Sequence, residues 1–567
     1  MNDALRDTLA INPLLQDWHT PYGLPPFDQV DAGHFIPAFD QAMPAHLAEL
    51  DAIASQAAPA SFDNTVVAFD AAGRLLTRIE LLFDNLASSE TSPALQEVEL
   101  IMAPRIAAHK NAIYMHAALF SRIDALYGQR AELGLDGEQL RLLERIHLDF
   151  VRAGAKLPED KRQRYGEVME ALAGLCTRFT QNVLADEAGF SLQLKDAADL
   201  AGLPDFLLAS AQGAARQLGL PEGSHAITLS PSLAEPFLTF SSRRDLRETV
   251  WRERVARGAH AGEHDNRPLA AEIMALRQEQ AALHGYASYA DYELVDRMAG
   301  KPAAVHDLLS RAWEPAKRKA EQDRQALTEM ARSLGEPTPI AAWDWRYLAE
   351  KVRQQRYDLD DAEIKPYFAL ENMIAAMFDC AGKLFGVRFV EQKGIPLYHA
   401  DARLWEVRDR ADQLVGLFIG DNYARPSKRS GAWMSIFRSQ CGIDGGTLPI
   451  VINNNNFAKA DTTLLSADDL RTLFHEFGHG LHGLLSQVRY EHLAGTQVLS
   501  DFVELPSQIF ENWADEETVL KQHARHYQTG EAIPAALLQK LKAARQFNQA
   551  WATIQYVAPA LIDMALH

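Results

Sequence analysis

The sequence predicts a mainly α-helical protein with one small β-sheet placed just ahead of a metal-binding helix. Three observations lead there. Apolar residues recur at three- and four-residue spacing over most of the chain, short β-branched runs gather between residues 387 and 453, and HExxH stands inside LLSADDLRTLFHEFGHGLHGLL, residues 464–485.

Helix signals dominate residues 36–220, in segments such as FDNTVVAFDAAGRLLTRIELLFDNL and DGEQLRLLERIHLDFVRAGAKLP. The stretch PEGSHAITLSPSLAEPFLTF, residues 221–240, interrupts them with Pro, Gly and Ser, so a boundary is expected there. This divides the chain into a helical lobe, 1–225, and a second region, 226–567, that carries HExxH and is read below as the catalytic one. Helices resume over 242–380. The run GVRFVEQKGIPLYHADARLWEVRDRADQLVGLFIGD then reads as strands, with Asp409 to Gln413 forming a polar hairpin connection. TLPIVINNNNF supplies one more strand, and Asn453–Asn456 reads as a loop at its end.

At 567 residues the chain exceeds what one core needs, so a deep cleft is possible. It contains no apolar run of 18 residues or more, and the amino terminus lacks the apolar core of a secretory signal. A soluble, cytoplasmic protein is expected, with no membrane partner. The net charge of −20 opposes binding to a phosphate backbone, which excludes nucleic acid as the expected partner. Cys176, Cys380 and Cys441 are an odd, scattered set, read as inert thiols.

Ser466 and Asp469 have the spacing of a helix capping box, and Leu470, Leu473, Phe474, Phe477, Leu481 and Leu484 continue an apolar stripe. On that helix His475 and His479 are one turn apart on one face, which lets two imidazoles share an ion. Glu476 sits one step round, in reach of an attacking water. Chance alone puts HExxH in about one chain in twenty of this length and composition, so the motif is only suggestive by itself. Gly478 and Gly480 add weight, because each glycine inside a helix costs about 1 kcal/mol and needs a local reason such as a closely approaching substrate or helix.

A catalytic zinc needs a third protein ligand and an open position. Leu485 occupies the place where one large class carries a third histidine, and His482 would splay too far from the other two. Glu504, in SDFVELPSQIFENW, is the better candidate, since a carboxylate among Phe502, Val503, Leu505, Ile509 and Phe510 is expected to be paired or metal-bound and HExxH upstream needs a third ligand; a salt-bridged surface glutamate in the first turn of a helix is the alternative. Asp501 and Glu511 are candidates to orient the imidazoles, with surface acids as the alternative. Two histidines and a glutamate suit zinc, and also cobalt or manganese.

LFHEFGHGLHGLL followed by SDFVELPSQIFENW resembles the thimet oligopeptidase family of zinc peptidases. FDNT at 62, RAGAKLPEDKRQRY, WDWRYLAEKVRQQRYDLD, IPLYHADARLWEV and SKRSGAWM resemble its peptidyl-dipeptidase branch more than its oligopeptidase A branch. The resemblance implies one zinc per chain on His475, His479 and Glu504, with Glu476 as general base. It also implies a two-lobed helical ellipsoid with a deep central channel, and a strand around Gly431, Ala432 and Trp433 along which an extended peptide adds. The expected activity is removal of dipeptides from the carboxyl end of short unfolded peptides by a monomer. An oligopeptidase A-like endopeptidase and a catalytically weak peptide-binding protein are the alternatives. Family members continue past His567 through a Gly- and Tyr-rich segment that stabilises the oxyanion, so the catalytic region is expected to be truncated and this form to be a poor catalyst.

Overall fold

The structure is a computed structural model that describes residues 12–357, 361–443, 445–545 and 547–567. The amino-terminal stretch read for a secretory signal falls mainly on residues 1–11, outside the described residues. The protein is mainly α-helical, and its chain forms two compact units. The first comprises Met1–Leu157 and Asp361–Pro534, the second Pro158–Asp360 and Ala535–His567.

The first unit is built on a five-stranded sheet. Its strands are β1 (Arg388–Gln392), β2 (Arg403–Arg408), β3 (Leu414–Tyr423), β4 (Trp433–Arg438) and β5 (Ile450–Phe457), in the order β1-β2-β3-β5-β4. Only β3 and β5 run parallel. The hairpin between β2 and β3 closes at the expected residues: the Asp409 carboxylate accepts the N–H groups of Ala411 and Gln413, and Asp412 takes a positive φ of 63°.

Alternation along the strands separates two cores. Leu417, Ile419, Ile450 and Ile452 pack with Phe35 and Phe39 of helix α1 (Phe35–Ala54) and with Ile79 and Phe83 of α2 (Arg74–Ser89). On the opposite face Phe389, Trp405 and Phe418 form an aromatic cluster with Phe378 of α3 (Leu370–Phe385) and Phe477 of α4 (Ala467–Leu484). Helix α4 therefore packs with the sheet as its floor.

Asn453–Asn456 is strand, not loop. Its side chains are occupied in ways a loop reading does not anticipate: Asn454 Oδ1 accepts from Ser89, Asn455 Nδ2 donates to Asn422, and Asn456 Nδ2 donates to the carbonyls of Arg429 and Gly431. These bonds tie three of the four asparagines into the strand's surroundings.

The second unit is helical apart from one pair of three-residue strands, Leu192–Leu194 and His225–Ile227. Long helices at Glu159–Gly189, Arg267–Leu283 and Pro302–Ser333 form its frame. The Pro, Gly and Ser residues of 221–240 mark the turn into one of these short strands and the start of the helix Pro231–Phe240, both inside this unit. Among the described residues no helix is long and apolar enough to cross a membrane. Cys380 and Cys441 are buried thiols, whereas Cys176 is exposed.

Candidate metal centre

Helix α4 begins as its capping box predicts. Ser466 Oγ accepts the Asp469 N–H while the Asp469 carboxylate accepts the Ser466 N–H, at 3.0 and 2.9 Å. The apolar stripe from Leu470 to Leu484 is buried, so the helix cannot rotate and the positions between the stripe residues are fixed. His475 and His479 then project together, their ring centroids 5.0 Å apart.

Helix α5 (Glu504–Ala514) supplies the third group. Glu504 Oε2 lies 3.3 Å from His475 Nε2 and 3.2 Å from His479 Nε2, so the three ligand atoms all fall within 4.8 Å of one another. The carboxylate of Glu504 is half exposed, and Leu505 and Ile509 beside it are exposed too. Apolar surroundings therefore do not recruit it to the site. Its position in the first turn of α5, opposite the two imidazoles, does, and Ser507 Oγ holds its carboxylate at 2.9 Å. Ser507 was not singled out in the sequence, although it lies one helical turn beyond Glu504.

The close approach of the two helices depends on Gly478. A Cβ there would sit 2.6 Å from Ser507 Cα and 2.8 Å from the Pro506 carbonyl, both backbone atoms of α5. Gly480 instead faces the sheet, where a Cβ would stand 3.1 Å from Asn453 Oδ1. The two glycines thus have separate local reasons, a facing helix and a facing strand.

The donor set fits a divalent ion. Glu511 Oε1 lies 2.7 Å from His475 Nδ1, a contact in which Nδ1–H donates to the carboxylate and the ring is held with Nε2 turned toward Glu504. Burial lowers the affinity of His479 for a proton, keeping its ring neutral. Two imidazole nitrogens and a carboxylate oxygen facing one another are the donor set of a divalent cation, which would stabilise the arrangement. Asp501 is exposed in the turn before α5, and His482 packs against the Phe502 ring outside the cluster.

Glu476 is buried beside this cluster. Burial pushes its carboxyl up to about 7; the neighbouring His475 opposes the rise, Glu504 adds to it, and the backbone N–H of Met434 on β4, donating to the carboxylate, opposes it. That N–H was not foreseen from sequence. A carboxyl with this affinity is suited to accepting and returning a proton near neutral pH.

A model of peptidase family M3 matches residues 237–567. The chain is also 37% identical over 563 residues to the dipeptidyl carboxypeptidase of Salmonella typhimurium, covering 99% of this chain and 82% of that protein. The chain belongs to peptidase family M3. It is therefore a metallopeptidase, and its chemistry is peptide hydrolysis with a bound metal. Among other M3 relatives, the Escherichia coli dipeptidyl carboxypeptidase is 37% identical over 98% of this chain and 82% of its own length. The Salmonella oligopeptidase A is 32% identical over the same shares.

Proposed function

We propose that the protein is a zinc-dependent peptidyl-dipeptidase, binding one zinc per chain through His475, His479 and Glu504 and releasing dipeptides from the carboxyl end of short peptides. The observation that carries this reading is the convergence of the three ligand atoms next to the buried Glu476. Zinc is the expected ion because a His2Glu set with one open position is a common arrangement for it in hydrolases. The greater identity to dipeptidyl carboxypeptidases than to oligopeptidase A supports exopeptidase action. We place the catalytic machinery in residues 226–567, a choice that the family match over 237–567 supports.

A zinc ion in this site would polarise the scissile carbonyl and make a water more acidic. Glu476 takes a proton from the attacking water and delivers it to the departing amine nitrogen. Glu511 keeps His475 in one tautomer throughout. The peptide lies extended along Gly431, Ala432 and Trp433, at the start of edge strand β4, where backbone groups offer another strand a place to pair.

The test is digestion of a defined mixture of short peptides, followed by mass analysis, with and without a chelator. Loss of successive carboxyl-terminal dipeptides, abolished by the chelator and restored by zinc, is the expected result. Cleavage at internal bonds regardless of distance from the end would favour the oligopeptidase A-like alternative, and no cleavage in the presence of zinc would overturn the reading.

A further inference from the structure

We infer that Arg429 is the residue that holds the carboxyl terminus of the substrate, and so sets where the peptide is cut. This rests on the peptidyl-dipeptidase reading, which requires a group near the site that recognises the carboxylate at the free end of the chain.

The segment leading into β4 carries three cations, and two of them are committed to the fold. Arg425 pairs with Glu90 and Asp421, while Lys428 is buried and donates to the carbonyls of Asp421, Tyr423 and Asn455. Arg429 is different. Its side chain is exposed, its guanidinium lies 4.4 Å from the centroid of the Trp433 ring, and among the described residues it has no acidic partner. At the other end of the strand Arg438 is already used, donating to the carbonyls of Leu448 and Tyr22.

The backbone around Arg429 is fixed as well. Its N–H donates to the Ser88 carbonyl, its own carbonyl and that of Gly431 accept from Asn456, and the Ser427 carbonyl accepts from Thr91. A guanidinium stacked on an indole and anchored in this way is preorganised for a planar, two-oxygen partner.

Its place along the strand suits a terminal carboxylate. β4 is the last strand of its sheet, and the Met434 N–H that donates to Glu476 marks the part of the strand beside the reacting bond. A peptide pairing antiparallel to β4 runs toward the start of the strand as it approaches its own carboxyl end. Two residues beyond the scissile bond span about 7 Å, which brings the terminus level with the beginning of β4. The faces agree as well. Met434 packs on Gly483 of α4, whereas Ser435 bonds Asn85 of α2, so Trp433 and the guanidinium over it lie on the side of the strand opposite the metal-binding helix. A peptide along the outer edge would pass between Glu476 on one side and Arg429 on the other.

The test compares a short peptide with its carboxyl-terminal amide in two assays. In the first, Glu476→Gln protein loaded with zinc is titrated with each ligand by calorimetry, with Arg429 intact, as Arg429→Gln and as Arg429→Lys. The free acid is expected to bind about 10- to 100-fold more tightly than the amide when Arg429 is present. The preference should fall to about one in Arg429→Gln and be intermediate in Arg429→Lys, which keeps the charge but not the fork. A carboxylate preference that survives Arg429→Gln, or that is missing with Arg429 intact, overturns the assignment. In the second, cleavage positions are mapped for wild type and Arg429→Gln. Internal cleavage by wild type would overturn the exopeptidase reading by itself, while the binding assay still decides whether Arg429 holds a carboxylate.

Discussion

Glu511 Oε1 stands 2.7 Å from Nδ1 of His475, on the side of the ring away from Glu504. Nδ1–H donates to this carboxylate, and the ring is thereby held with Nε2 facing Glu504 as the ligand atom. Glu511→Gln keeps the size of the side chain but removes the charge that fixes this tautomer. Metal affinity, measured by competition with a chromophoric chelator, is expected to fall about 10- to 100-fold, with the helical circular dichroism unchanged. Unaltered affinity would mean that packing alone orients the ring.

Glu476→Gln separates proton transfer from metal binding. The side chain is buried beside the ligands but is not one of the three converging groups, so the variant should bind one equivalent of metal as wild type does. Peptide hydrolysis should drop by about 10² to 10⁴, the usual contribution of a positioned general base. Turnover within tenfold of wild type would assign the proton transfer to another group.

The sequence revealed the helix and its two histidines because periodicity, capping and HExxH all act within one turn or two of each other. Glu504 was reached partly through its apolar neighbours, a reason the structure does not share, since its carboxylate is half exposed and not enclosed by apolar side chains. What brings it to the histidines is the approach of α5 to α4, which no local pattern encodes apart from the glycine at 478. The Met434 N–H on Glu476 was beyond reach for the same reason, because a backbone donor leaves no mark in the sequence. The asparagine run misled in the opposite direction: its loop-like composition is real, but partners distant in sequence, at Ser89, Asn422 and Arg429, each hold one asparagine side chain of it within a strand.

Lys428 makes a pH prediction. Burial pushes its ammonium down to about 8, against the pull of Asp421, from an ordinary value of 10.5. The folded chain therefore holds this proton less tightly than the unfolded chain, and between about pH 8 and pH 10.5 the unfolded state binds more protons. Over that window the contribution of this group to stability rises with pH; below about 8 the cost of keeping the charge buried is fully present. Lys428→Met removes the titration. Denaturant midpoints at pH 7.5 and 9.5 should show wild type gaining stability relative to the variant at the higher pH, and a constant difference between the two proteins would show that the amine does not titrate in this range.

The two glycines of α4 offer the sharpest contrast, because the same substitution meets different neighbours. In either case alanine gains about 1 kcal/mol of helix propensity. At 480 the new methyl meets the Asn453 side-chain oxygen at 3.1 Å, and a small side-chain adjustment relieves the contact. Gly480→Ala should melt within a few degrees of wild type and bind metal normally. At 478 the methyl would stand 2.6 Å from Ser507 Cα and 2.8 Å from the Pro506 carbonyl, so only movement of α5 itself can make room. Overpacking of this kind typically costs about 1–3 kcal/mol, which cancels or exceeds the propensity gain. The helix that must move carries Glu504, so Gly478→Ala should lose metal affinity as well as melting temperature. Thermal unfolding and chelator competition on both variants check this. Equal behaviour of the two would mean that the separation of α4 and α5 is not what brings Glu504 to the histidines.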